Sequence, residues 1–452
     1  MADRANGARL TADPPEIGAG TGAAAGDTPL TRASSGLDLC VHCGFCLQAC
    51  PTYLALEDEN DSPRGRLVLM RALVDGTLTV DDVSVQTHID RCLGCRACET
   101  VCPSGVPYGE LLEATRATIT EQRPLPVIGR AILWVFAQPG RLAVALAAAR
   151  VLRATRVASL LSRLPGRIGF AMAMLASTTR RRSAPWQRSQ RATETGSAAP
   201  RELEGASRGR AALLRGCVMD GLFRETNRAT ERAVRRAGFE VIDVPDQGCC
   251  GALHAHAGDL EGARALARAN VAAFAQSGAS VIVNNAAGCG AMLESYGHLL
   301  ADDPEWAERA ARVAAAARDV SEVVAPFVGA ASGGDHAAET PDTPPVRVAY
   351  DPPCHLLHAQ RVSAPPLAML AAVPGIELVP LADADQCCGA AGIYNLLQPA
   401  ISESVLAAKL ANISASGASW VATGNPGCLM QIGAGLRRAG SRVGVVHPVD
   451  ML

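Results

Sequence analysis

The feature that most restricts how this chain can fold is one cysteine pattern written twice: Cys40-Val-His-Cys43-Gly-Phe-Cys46-Leu-Gln-Ala-Cys50-Pro51 and Cys92-Leu-Gly-Cys95-Arg-Ala-Cys98-Glu-Thr-Val-Cys102-Pro103. Three thiols two residues apart wrap a short turn around three corners of one cubane, and the proline after the fourth diverts the chain so that this thiol points elsewhere. Thiolates at this spacing hold [4Fe–4S] clusters, and two clusters make an electron wire.

In two-cluster ferredoxins the fourth cysteine ligates the other cluster. Carried over to this chain, Cys40, Cys43, Cys46 and Cys102 hold one cluster and Cys50, Cys92, Cys95 and Cys98 the other. Zinc also takes C-x2-C pairs, but in sets of four, which a doubled C-x2-C-x2-C-x3-C-P run does not match. Closely spaced thiols without a secretory signal read as metal ligands in a reducing compartment, not as disulfides.

At 452 residues the chain has room for two to four domains. A hydrophobic content of 48% and a net charge of −2 describe a globular class without a nucleic-acid signature. Nearly all the positive charge is arginine; Lys409 is the only lysine. Residues 1–36 read as a disordered tail rich in Gly, Ala, Asp and Pro. Residues 121–178 read as amphipathic helices, because Arg130, Arg141, Arg150, Arg153, Arg156, Arg163 and Arg167 with Pro139 and Pro165 leave no 18-residue uncharged span. These helices either pack on the rest of the chain or dock on a partner subunit or an anionic membrane surface. Residues 179–209 read as a polar linker.

The other eight cysteines form an internal repeat. Cys217, Cys249, Cys250 and Cys289 recur as Cys354, Cys387, Cys388 and Cys428 at offsets of 137, 138, 138 and 139. Residues 210–330 and 346–452 are therefore duplicated domains around a hinge at 331–345. Strand-like runs at 211–214, 240–244 and 281–283 correspond to 346–349, 377–379 and 420–422, with a last strand at 443–446, and helical patterns fill the gaps. The expected class is α+β / α/β: a helical two-cluster domain over 37–120, then two parallel-sheet domains carrying their cysteines at the carboxyl edge. Four thiols converging twice point to a further iron–sulfur centre in each repeat; an inert thiol set or a thiol/disulfide couple is the alternative.

The Cys-Cys-Gly patterns resemble the cysteine-rich (CCG) domain of heterodisulfide reductases. Together with Cys-Val-His-Cys-Gly-Phe-Cys, Ser-Pro-Arg-Gly-Arg, the Asp-Arg-Cys-Leu run from Asp90 and Asp-Pro-Pro-Cys-His-Leu, the chain over 37–452 resembles the iron–sulfur subunit of glycolate oxidase (glycolate dehydrogenase). That resemblance implies two [4Fe–4S] clusters, an FAD-binding partner subunit that oxidises a 2-hydroxy acid, a quinone-type acceptor, and a cytoplasmic location peripheral to the inner face of the cell membrane. No catalytic residue falls on this chain. Similar modules make up the iron–sulfur subunit of anaerobic glycerol-3-phosphate dehydrogenase and lactate-utilisation complexes. Heterodisulfide-type sites end in C-x2-C, whose first cysteine falls on Ala286 and Asn425 here, which argues against a five-cysteine site; a heterodisulfide reductase-type thiol/disulfide enzyme working at the Cys-Cys pairs is the alternative reading. His42 and Phe45 shield a cluster or lie at the surface, His355 tunes a centre or donates to one, and Arg64 and Arg66 read as a solvated helix start, with binding of a carboxylate or a partner as the alternative.

Overall fold

The computed structural model describes residues 26–179, 208–328 and 344–452. Thr28 caps helix Pro29–Arg32 through a reciprocal box with Thr31, and proline occupies the first helical turn. Leu30 is buried, and its N–H donates to Thr118 Oγ1 at 3.0 Å. Thr28 to Gly36 are therefore folded, against the disordered tail expected over residues 1–36, because an average over the tail's composition hides one capped turn with a buried leucine. Residues 1–25 lie outside the described part.

Helices Pro51–Leu56, Pro63–Val74, Val83–Asp90 and Tyr108–Gln122 enclose the first core, in which Met70, Val85, Ile89, Leu111 and Leu112 surround Cys92 and Cys98. Proline starts two of these helices, where its missing N–H would be unpaired anyway.

The arginine-studded region forms Val127–Phe136, Pro139–Ala154, Val157–Leu161 and Gly166–Ser177. The last of these buries Phe170 and Ala173 against the final repeat. The first two expose Val127, Val144, Val151 and Trp134, the last at 59%. Packing thus accounts for Gly166–Ser177, whereas the earlier helices present an open apolar face. Residues 124–179 contain seven arginines and no Asp or Glu. No single helix among the described residues is long and apolar enough to cross a membrane; Val127–Phe136 and Pro139–Ala154 pass that test only as a pair, bent by 105°.

Each repeat is a four-stranded, all-parallel sheet. In the first, β1 (Arg210–Leu213), β2 (Glu240–Ile242), β3 (Val281–Asn284) and β4 (Ala317–Asp319) lie in the order β2-β1-β3-β4. In the second, β5 (Val346–Tyr350), β6 (Ile376–Val379), β7 (Trp420–Ala422) and β8 (Gly444–Val446) lie as β6-β5-β7-β8. Strand β4 has no counterpart in the sequence reading. It emerges from an alanine run that continues helix Ala307–Ala316, and pairing of Ala317 with Ile282 and Asp319 with Asn284 makes it a strand; tertiary pairing overrides weak local propensity. Most of the expected linker and hinge lies outside the described residues. The strand order reverses direction between β1 and β3, and between β5 and β7, which are the crevices where open α/β sheets hold ligands.

Candidate metal centres

Cys40, Cys43, Cys46 and Cys102 line one cavity, together with Phe45, Arg64 and Tyr108, and Cys98 of the second motif borders it as well. Its rim is open: Cys43, His42 and Val41 are exposed, and Phe45 is 65% exposed. His42 and Phe45 are thus at the surface, with His42 Nδ1 4.0 Å from Cys40 Sγ. His42 and Gly44 take positive φ, which lets the ligand turn close on itself. Arg64 braces that turn, donating to His42 O at 3.1 Å and to Glu59 at 2.8 Å. Burial pushes the Cys46 thiol up to about 11, so a metal must displace its proton.

The second set, Cys50, Cys92, Cys95 and Cys98, is buried. Burial raises Cys98, and the neighbouring Cys95, Cys92 and Cys50 add to it. Sulfur here is met by donors that suit a thiolate: Gly94 N–H to Cys92 at 3.4 Å, Tyr108 O–H to Cys92 at 3.6 Å, and Arg66 to Cys50 at 3.9 Å. Arg66 corrects the sequence reading, because its side chain is 0% exposed and not solvated. It donates to Asp61 at 3.1 Å, Thr52 Oγ1 at 3.1 Å and His88 O at 2.6 Å. Ser-Pro-Arg-Gly-Arg is therefore a structural device. Ser62 caps the helix, Pro63 opens it, and Gly65 lies so close to Glu59 that a Cβ would come within 2.0 Å of its carbonyl oxygen, which drives Arg66 inward. Asp58, Asp61 and His88 are spaced closely enough for a metal, yet Asp61 is already held by Arg66 and Arg91. That cluster reads as an ion-pair network.

In each repeat four thiols meet at the switch crevice. Cys217 follows β1, the Cys249–Cys250 pair follows β2, and Cys289 follows β3 in the first turn of Ala287–Glu294. Cys249 accepts from Cys217 and Cys250 and is held well below the ordinary thiol value, while those two donors are held high. Cys250 Sγ lies 3.3 Å from Cys289 Sγ. The second repeat copies this: Cys387 accepts from Cys354 and Cys388 and is held low, and Cys388 lies 3.3 Å from Cys428. All sixteen thiols are free. Cys289 and Cys428 sit in the first turns of helices of eight residues or more, whose exposed N–H groups favour negative charge. Four convergent sulfurs, two helix starts and N–H···S donors fit an iron–sulfur centre better than an inert thiol set.

Asn425 shows how the heterodisulfide-type pattern is missing. Its Nδ2 donates to Cys428 Sγ at 3.6 Å and its Oδ1 accepts from Gly288 N–H at 3.2 Å, so the position joins the repeats without ligating. His355 Nδ1 lies 3.5 Å from Cys354 Sγ, and its ring centre is 5.1 Å from that of His256, the planes tilted by 46°. Burial pushes His355 down to about 3, which keeps it neutral. Lys409, Tyr108 and Asn270 also touch these sites and were not singled out from sequence as site residues. The uniqueness of Lys409 was the one available signal.

Comparison with known proteins agrees with this geometry. The 4Fe-4S dicluster domain family matches residues 36–106, and the cysteine-rich domain (CCG) family matches residues 211–294 and 348–433. The probable glycolate oxidase iron-sulfur subunit of Bacillus subtilis (strain 168) is 37% identical, covering 91% of this chain and 92% of that protein. The glycolate oxidase iron-sulfur subunit of Escherichia coli (strain K12) is 32% identical over 88% of this chain and 90% of its own. Lactate utilization protein A of Geobacillus thermodenitrificans is 32% identical over 52% of this chain and 95% of that protein.

Proposed function

Because the chain belongs to the family of glycolate oxidase iron–sulfur subunits, we propose that it is the electron-transfer subunit of a 2-hydroxy acid dehydrogenase with glycolate as substrate. An FAD-bearing partner chain performs the substrate chemistry, and a quinone-type molecule accepts the electrons. Cys40, Cys43, Cys46 and Cys102 hold one [4Fe–4S] cluster, and Cys50, Cys92, Cys95 and Cys98 hold the second. The observation that carries this reading is that both four-cysteine runs meet in one small core: Cys102 and Cys98 line a cavity with the first motif, and Cys50 is buried beside Cys92, Cys95 and Cys98. When bound, the clusters supply one-electron storage. The residues of this chain set their charge, hydrogen bonding and burial. The exposed edge at Cys43 and Phe45 is the face a redox partner reaches first. The acid-free arginine helices with exposed Trp134 suit an anionic membrane surface on the cytoplasmic side.

Lactate is the second substrate reading, favoured by the likeness to a lactate utilization protein. The test is anaerobic purification with the neighbouring gene products, followed by dye reduction with glycolate and lactate and by iron counting. A flavoprotein should co-purify, and Cys102→Ser should abolish the signal of the cluster held by Cys40. Loss of the Cys92–Cys98 cluster in that variant would refute the crossed ligation, and absence of activity on any 2-hydroxy acid would refute the function.

A further inference from the structure

Among the described residues, Arg66 and Lys409 are the only arginine or lysine side chains in the buried core. They stand on opposite sides of one junction. Arg66 reaches Cys50. Lys409, 2% exposed, donates to Asp383 O at 2.9 Å and Ala384 O at 3.0 Å, in the loop leading to Cys387 and Cys388, and pairs at 3.0 Å with Asp351, three residues before Cys354. Between the two cations, Cys95 of the ferredoxin unit and Cys387 of the second repeat lie in one apolar cluster with Leu93, Ala97 and Tyr394, bordered by Cys354. The seam is fastened by Tyr394 O–H to Arg91 O at 2.7 Å and by Thr100 to His358 at 2.9 Å.

The first repeat differs at each point. The repeat offsets put Asn270 where Lys409 stands and Leu214 where Asp351 stands. Asn270 does the same bracing, accepting from Gly248 N–H at 2.8 Å and donating to Cys249 O at 2.9 Å, so holding that loop does not require a charge. Hydrogen bonds between this repeat and the ferredoxin unit run from Arg116 to His256 O, from Thr120 to Gly258 O and between Glu113 and His256, and the stretch around Gly94 and Arg96 faces Gly288 and Met292 across a small cavity. Cys250 and Cys289 lie in a first-repeat core, as Cys388 and Cys428 do in the second, but Cys249, the counterpart of Cys387, shares no apolar cluster with a ferredoxin cysteine.

We propose that the second cysteine-rich repeat, and not the first, is the redox partner of the ferredoxin unit: electrons cross between the Cys50/Cys92/Cys95/Cys98 set and the Cys354/Cys387/Cys388/Cys428 set where Cys95 meets Cys387, with Lys409 as the positioning residue that holds the loop before Cys387. This rests on the iron–sulfur reading of both sets. The step moves one electron: the centre on the ferredoxin side is oxidised by one, the centre in the second repeat is reduced by one, and no bond or proton changes place. The reductant is the partner's reduced flavin, or dithionite in the test. Electron tunnelling decays steeply with distance, so the pair of sites whose sulfur ligands share one cluster of side chains outruns a pair whose ligands share none.

The experiment uses the full chain, loaded anaerobically with iron and sulfide and titrated with dithionite under electron paramagnetic resonance. In the wild type, the fully reduced spectrum should show, beyond the coupling of the two ferredoxin clusters to each other, an additional spin–spin splitting that persists in Cys249→Ser and vanishes in Cys387→Ser. The double variant Asp351→Leu/Lys409→Asn installs the first repeat's pair and strands no charge. By releasing the loop before Cys387 it should shift the midpoint of the second-repeat centre by a tenfold change in the reduced-to-oxidised ratio, about 59 mV for one electron, leaving the ferredoxin potentials in place. An additional splitting that disappears with Cys249→Ser instead, or a double variant with unchanged potentials, overturns the proposal. An iron content equal to wild type in Cys387→Ser also overturns it, while leaving the proposed function standing. Absence of both ferredoxin signals in the wild type would instead refute the underlying iron–sulfur reading.

Discussion

Replacing Arg66 with methionine tests whether the Ser-Pro-Arg-Gly-Arg segment is structural. The guanidinium is fully buried and serves four acceptors, Asp61, Thr52 Oγ1, His88 O and Cys50 Sγ. Methionine fills much of the volume but leaves Asp61, itself 0% exposed, with a weaker set of partners: Arg91 at 2.9 Å, which is one-third exposed, and His88 at 3.1 Å. Breaking a buried pair from one side costs about 3–5 kcal/mol. The surviving Arg91 contact pulls the charge component towards the lower figure, and the orphaned His88 carbonyl adds about 1–3 kcal/mol. The sum is a large share of the roughly 5–15 kcal/mol that holds a domain together. Denaturant unfolding of the loaded protein, followed by bleaching of the iron–sulfur absorbance, should show an early transition in Arg66→Met. Asp61→Asn/Arg66→Met should recover at least half of the loss, because no buried charge is then stranded. A single variant as stable as wild type, or a double variant whose loss equals the sum of the single losses, would refute the reasoning.

Gly258 takes φ +87, and a Cβ there would lie 2.5 Å from Arg116 O; Gly258→Ala should cost about 1–3 kcal/mol and raise hydrogen exchange in Tyr108–Gln122. Burial alone would raise the Glu113 carboxyl, but the hydrogen bond and charge of His256 outweigh it and hold it below its ordinary range. A carboxyl depressed on folding contributes stability above its unfolded value, about 4.3, and loses it as pH falls through the lower folded value. Thermal melts should therefore decline with acid below that point in wild type and less steeply in Glu113→Gln; equal slopes would remove Glu113 from the account. Sedimentation with phosphatidylglycerol vesicles should retain the chain at low salt, and Trp134→Glu should release it; binding to neutral vesicles of equal strength would exclude the arginine face as the cause.

Much of this protein was legible because cysteine chemistry is local. Two C-x2-C-x2-C-x3-C-P runs name their cofactor by spacing, and a constant offset of about 138 residues exposes a duplication whatever the fold. The alternation of β-branched runs with helical patterns was enough for two parallel sheets. It missed β4, whose alanines carry no strand preference until Ile282 pairs with them. Arg66 is a second case. An arginine in the first turns of a helix is ordinarily solvated, and here Asp61, itself paired with Arg91 thirty residues further on, holds it inward together with Thr52 and the His88 carbonyl.

The sequence by itself determined the ligand chemistry, the duplicated architecture and the family, since each is encoded in residue types at short or repeated spacing. Only the tertiary structure decided that the repeats are unequal. Cys95 and Cys387 are nearly three hundred residues apart, and nothing local to either says that they share an apolar cluster while the first repeat keeps its thiols inside its own core. Lys409 and Asp351 likewise become a pair only when helix Pro399–Ala415 packs across the end of β5. Burial then gives that pair its electrostatic weight, because the field of a charge reaches further where water cannot screen it.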